Sequence, residues 1–243
     1  MNDNYEDREI RAEGRFFKWF DNFWFYHKWH VIGALFLVFV LAVCIFQSCT
    51  REKPDVAVMY AGAYHYSANE TLTVKDELEG VLPKDYNEDG VAVVGLVTYH
   101  VMTPAQLEEY QKQLQGEAAD GEVFDRVDTA YFTEQAKLCD SYLMTGECAV
   151  LLVDQSIYER LAKDEGRLRK LSDVFGTVPA SAFSEYGIRF SKTALYKNSE
   201  QLGKLPEDTV LCLLSPYVFG QSSNAKQYSA MVAMFRAMGK DPT

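Results

Sequence analysis

The chain has 243 residues, with 24 Lys and Arg against 35 Asp and Glu and a net charge of −11. A charge of this sign repels phosphate backbones, and no basic stripe interleaved with aromatics offsets it, which argues against nucleic acid as a partner. Five cysteines in a sparse, odd-numbered set do not make a disulfide scaffold, and no CxxC or Cys/His spacing suggests structural zinc.

Residues 16–30, FFKWFDNFWFYHKWH, are crowded with aromatic rings. On a helix, Phe16, Phe20, Phe23 and His27 form one stripe, with Trp19, Tyr26 and His30 beside it. Aromatic rings with polar edges collect at the membrane–water boundary, so Trp19, Trp24 and Trp29 are the expected interface residues of a helix that contacts lipid. His27 and His30 have half of a metal-site spacing but no companion cysteine or acid cluster. The next stretch, VIGALFLVFVLAVCIF, has no charged side chain. With its flanks it predicts a transmembrane helix over 31–48, close to the roughly 20 residues that a ~30 Å hydrocarbon core requires. Arg11, Arg15, Lys18 and Lys28 precede it closely, and only Arg51 and Lys53 follow. The basic excess places residues 1–30 in the cytosol and the remainder outside the cell membrane. A cleaved signal peptide fits less well, because the leader would be long and would carry Asp3, Glu6, Asp7, Glu9, Glu13 and Asp21. A lipoprotein reading at Cys44 meets the bulky Val43 where a small residue is wanted.

A polar linker over 49–54 leads into an expected extracytoplasmic α/β domain over 55–243; linker and domain together carry 19 basic against 29 acidic residues. That length supports one domain with a substantial core. The run over 55–62 reads as a buried strand. Ser67 with Glu70 is a capping box for a helix over 71–81. Residues 91–102 read as a second strand, and Thr103-Pro104 opens a helix to about 115. Residues 116–125 are acidic and glycine-containing, a loop. Helical periodicity over 128–145 stops at Gly146. The apolar run over 149–153 is of the kind found in strands covered on both faces. Ser156 with Glu159 matches another capping box, for a helix to about 163. Residues 171–175 read as a turn-rich strip, 188–196 as an extended pair, 210–214 as a buried strand and 223–238 as an amphipathic helix. Cys148 and Cys212 lie on strands that could be neighbours, so they either pair or stay as buried free thiols.

Two groups of residues are candidate sites. Asp85, Asn87 and Asp89, followed by Gly90, match the first half of a calcium loop, but the twelfth position is Leu96 rather than a bidentate Glu. An acidic turn entering a strand accounts for the same residues; calcium is the one cofactor the pattern suggests. In open parallel sheets ligands bind outside the carboxyl ends of strands. Here those ends carry Tyr60, Tyr99 with His100, Asp154, and Ser215 with Tyr217; the tyrosines and the one carboxylate suit a small polar ligand by stacking and hydrogen bonding. The alternative is that Asp154 caps a helix and the tyrosines bridge core to surface. No GxSxG, HExxH, P-loop or GxGxxG is present, and no nucleophile with a base is nominated, so the expectation is a protein without catalytic activity.

The segment TEQAKLCDSYLMTGECAVLLVDQSIYERL, residues 133–161, resembles bacterial extracellular solute-binding proteins, in which a helix ends in a small-residue turn before a strand and a further helix. Residues 168–175 and Tyr186-Gly187-Ile188 are similar to the later pattern of those proteins. The aromatic front before a single span resembles small membrane proteins of Gram-positive anaerobes. The resemblance implies a mixed, mostly parallel α/β sheet with flanking helices, akin to one lobe of a solute-binding protein. It leaves two functions in view: a protein-interaction or assembly domain at the cell surface, or a tethered module for a small polar ligand.

Overall fold

The computed structural model describes residues 15–50, 54–117, 127–216 and 225–242. The chain divides into two compact units, 1–52 and 53–243.

Among the described residues the first unit contains one helix, α1 (Arg15–Thr50), which joins the aromatic segment and the apolar run without a break. Nothing within it stops a helix: it has no proline, and its lone Gly33 meets no neighbouring atom. At 1.5 Å per residue α1 is about 54 Å long. Residues Phe23–Phe46 are long and apolar enough to cross a membrane, with a mean hydropathy of 2.6. That segment starts eight residues before position 31, because the helix carries Phe23 to His30 in the same phase as the apolar run.

The second unit is a mixed α/β fold. Its strands are β1 (Val56–Gly62), β2 (Val94–His100), β3 (Val150–Val153), β4 (Gly187–Arg189) and β5 (Val210–Leu213), in the order β2-β1-β3-β5-β4. β1 pairs in parallel with both β2 and β3, whereas β5 is antiparallel to β3 and to β4. The helices are α2 (Ala68–Glu79), α3 (Pro104–Glu117), α4 (Thr129–Thr145), α5 (Gln155–Ala162), α6 (Leu171–Phe175), α7 (Ala194–Asn198) and α8 (Ala225–Met238). Both α2 and α4 pack on β2, and α8 crosses β1, β3 and β5. β3 and β5 are buried at every position, as their uninterrupted apolar sequences require of strands covered on both faces.

Local chemistry sets the helix ends. Ser67 and Glu70 form the expected capping box, but α2 begins at Ala68, directly after the Ser67 cap, and not at 71, because Glu70 is the third residue of its first turn. Asp128 caps α4, which ends on Gly146 in the left-handed conformation at φ 66°, a geometry that costs glycine nothing. α5 is capped by Asp154 rather than by Ser156, whose own N–H and hydroxyl both donate to the Asp154 carboxylate. Residues 171–175 form a short helix, not a turn strip. The expected extended pair over 188–196 is a three-residue strand, a 3-10 turn and α7. There the Thr193 hydroxyl donates to the Phe190 carbonyl and accepts the Tyr196 N–H, which turns the chain. The Glu77 carboxylate on α2 accepts the N–H groups of Glu200, Gln201 and Leu202 at 2.8–3.2 Å, tying α2 to the last third of the chain. Cys139, Cys148 and Cys212 are free, buried thiols, and the register sets Cys212 opposite Leu151. The loop over 116–125 and the start of the last helix at Ser223 fall largely outside the described residues.

Candidate functional site

After β1 the chain places β2 on one side and, two helices later, β3 on the other. The winding therefore reverses between β1 and β3, and the crevice outside their carboxyl ends is where a sheet of this kind would take a ligand. Asp154 follows β3 directly, and its N–H donates to the Ala61 carbonyl at 2.9 Å.

The carboxylate of Asp154 is buried and fully engaged. One oxygen accepts the Ser156 N–H and hydroxyl at 3.0 and 3.1 Å, and the other accepts the Gln106 side-chain amide at 2.8 Å. Gln106 is itself fixed: its carbonyl oxygen accepts the Thr103 N–H at 2.7 Å while its own N–H donates to the Thr103 hydroxyl. Thr103-Pro104-Ala105-Gln106 is thus a capping box on α3 whose spare amide reaches across the crevice.

Tyr60 is 2% exposed, its hydroxyl accepts the Tyr64 N–H at 3.0 Å, and its ring lies edge-on to Tyr66. Burial raises its pKa. Tyr99 is half-buried against Tyr142 of α4, with ring centroids 5.9 Å apart, and burial raises its pKa as well. The β1–β2 register pairs Tyr60 with Thr98 and Ala61 with Tyr99. Side chains alternate along a strand, so Tyr60 and Tyr99 point to opposite faces of the sheet. The two tyrosines and Asp154 therefore do not line one cleft. Tyr217 lies outside the described residues.

Beside these, His100 at the end of β2 bonds through Nε2 to the Ala63 carbonyl at 2.9 Å and packs on His65, Tyr131 and Phe132. Burial, with a smaller contribution from His65, lowers the His100 pKa. Both His65 and Gln106 lay outside the expected set; the Thr-Pro-x-Gln spacing was the one available signal for Gln106.

The acidic turn directs its oxygens inward. Asp85 accepts the Glu88 and Gly90 N–H groups at 2.7 and 2.8 Å, Asn87 accepts that of Asp89, and Asp89 accepts that of Val91. The Gly90 and Glu88 amides hold the Asp85 carboxyl below its usual range. The buried Asp55 clamps the turn by accepting the N–H groups of Tyr86, Asn87 and Val93 at 2.7, 2.7 and 2.9 Å. Among the described residues no group of three His, Cys, Asp or Glu side chains is placed to hold a metal ion.

Two openings are worth naming. A small cleft of 180 Å³ lies between α4 and α5, lined by Met102, Cys139 and Arg160 among others. An open groove of 810 Å³ runs between α6 and the end of α8, lined by Phe175, Val178, Pro179, Arg236 and Lys240. In it the Arg236 Nε donates to the Val174 carbonyl at 2.6 Å.

On α1, Trp19, Trp24 and Trp29 are 60%, 41% and 76% exposed, and Trp19 stacks on Phe23 at 5.5 Å. No protein-family model, no curated protein and no solved structure matches the chain.

Proposed function

We propose that the chain is a single-span protein of the cell membrane, with its N-terminus in the cytosol and its α/β domain outside, and that the domain is a non-catalytic module for protein interaction or assembly. The observation that carries this reading is the engagement of the switch-point crevice: Asp154, Gln106, Thr103 and Tyr60 spend their polar atoms on one another and on backbone groups. α1 supplies the lipid contact, through the apolar Phe23–Phe46 segment and the three exposed tryptophans. Protease added to intact cells should remove the α/β domain and spare an N-terminal tag; the reverse pattern rejects the orientation. A melting curve of the full chain in detergent, run against sugars, amino acids and peptides, tests the function. A ligand at a hundred times its dissociation constant adds about 2.7 kcal/mol, which raises the midpoint of a domain this size by roughly 5–10 °C. No shift across the panel is the result expected.

A second reading, a tethered module for a small polar solute on a solute-binding-like lobe, is favoured by the α6–α8 groove. Its 810 Å³ lies within the range of ligand pockets, and Arg236 is held by one nitrogen with the rest of its fork unbonded among the described residues. A carboxylate-bearing ligand would suit it. A shift with such compounds that Arg236→Ala abolishes would establish this reading in place of the first.

A further inference from the structure

We propose that the outer edge of β2 pairs, antiparallel, with the same edge of a second copy of this chain. The proposal rests on the interaction reading above and names its partner.

Among the described residues β2 is an edge strand, with β1 on one side only. Just past the last ladder pair, Gly62 with His100, the Val101 N–H donates to the Gly62 carbonyl at 3.0 Å. That bond fixes the phase of the ladder: odd-numbered residues of β2 turn their backbone groups toward β1, and Val94, Leu96, Thr98 and His100 turn theirs outward. The outward Val94 N–H is taken by the Glu79 carboxylate at 3.0 Å. Among the described residues, nothing bonds the outward N–H and C=O groups of Leu96, Thr98 and His100. Thr98 is exposed.

The opposite edge of the sheet is treated differently. β4 is three residues long, carries Arg189, and is covered on its outer side by residues 181–183, through the Arg189 N–H to Ser181 and the Phe183 N–H to Gly187. Short length, charge and a covering segment are the usual guards of an edge. β2 is seven residues of VGLVTYH, without proline or a Lys, Arg, Asp or Glu side chain. Two such edges meet without like charges opposing each other.

The helix layer over this edge identifies the occupant. One flank of α4 faces α5 through the Arg160–Asp140 ion pair. The other flank, by helical spacing, carries Tyr131, Leu138 and Tyr142. Tyr142 packs on Tyr99 of β2, so this flank lies on the strand-edge side. Tyr131 and Leu138 there are 38% and 45% exposed. A lone extended peptide would satisfy the strand edge and leave these side chains in water. A second copy brings its own α4, and one two-fold operation covers both the edge and the apolar flank, as an isologous contact does.

The test uses the full chain reconstituted into lipid vesicles at low protein-to-lipid ratio, with donor and acceptor dyes on separate populations, alongside Thr98→Pro, Thr98→Lys and Leu138→Asp. Thr98→Pro removes an outward N–H that the β1 ladder does not use, and Leu138→Asp alters an exposed position; circular dichroism confirms that each variant folds. The expected result is energy transfer for the parent chain that falls to the random-proximity level in all three variants. The Leu96, Thr98 and His100 amides should exchange slowly in the parent and at least tenfold faster in Leu138→Asp. A parent chain with only random-proximity transfer overturns the proposal, as does transfer that survives Thr98→Pro and Thr98→Lys. A monomeric parent that still shows no ligand shift in the melting panel overturns this pairing alone and leaves the interaction reading in place.

Discussion

The side-chain amide of Gln106 donates to the carboxylate of Asp154 at 2.8 Å, joining the cap of α3 to the cap of α5 across the point where the sheet's winding reverses. One bond therefore orients two helix starts and occupies the crevice between them. Asp154→Ala removes a cap worth about 1 kcal/mol and leaves the Gln106 amide without its acceptor, a further ~1 kcal/mol or more. Gln106→Ala should cost about 1 kcal/mol, and the double variant less than the two together by roughly 0.5–1 kcal/mol. Urea unfolding of the four chains measures all three quantities.

Asp55 should be the most damaging single acid to remove. It is buried and holds three backbone N–H groups of the 86–93 segment. Asp55→Ala strands those donors and should destabilise by about 3 kcal/mol or more, with Asp55→Asn recovering part of the loss. Because the Asp85, Asn87 and Asp89 side chains already accept from the turn's own backbone, millimolar calcium should leave the melting midpoint unchanged.

The acid limb of stability should contain a component from Glu70. The Ser67 N–H, the Lys204 ammonium and the Ser67 hydroxyl hold its pKa down to about 2. A carboxyl depressed on folding contributes stability that is present above its unfolded pKa and is lost as the pH falls through the folded value. The contribution of Glu70 is therefore complete near neutral pH and disappears between about 4.5 and 2. Glu70→Gln should flatten the stability profile in that window, as read from urea midpoints at each pH.

Cys139, Cys148 and Cys212 should resist thiol reagents in the folded domain. Burial pushes the Cys139 and Cys148 thiols up to about 12 and raises Cys212 as well, so little thiolate exists at pH 8 even before access is considered. Mass spectrometry after alkylation should find the three unmodified in buffer and all modified in urea.

Elements whose signals are local were legible from sequence. The capping box at Ser67 and Glu70, the Asp128 and Gly146 ends of α4 and the apolar run of β3 each lie within a few neighbouring residues. α6 was not legible, because five residues carry too little periodicity to separate a helix turn from a loop. Residues 188–196 read as extended because Ile188, Phe190 and Leu195 are apolar, whereas Thr193 turns the chain through hydrogen bonds that a hydrophobic pattern does not encode. At the candidate site Asp154 was legible as a cap, but its partner Gln106 lies 48 positions away. The opposite orientation of Tyr60 and Tyr99 depends on the β1–β2 register, which alternation within each strand leaves open.

Glu77 carries a consequence for the order in which the chain becomes a domain. Its carboxylate waits for three amides that follow it by 123 to 125 positions. During synthesis β1, α2 and β2 emerge as a unit that can pair and pack early, yet α2 keeps an unanswered acid until the last third of the chain arrives. A released chain truncated before residue 200 should therefore hold this first unit in a more protease-sensitive state than the full chain does.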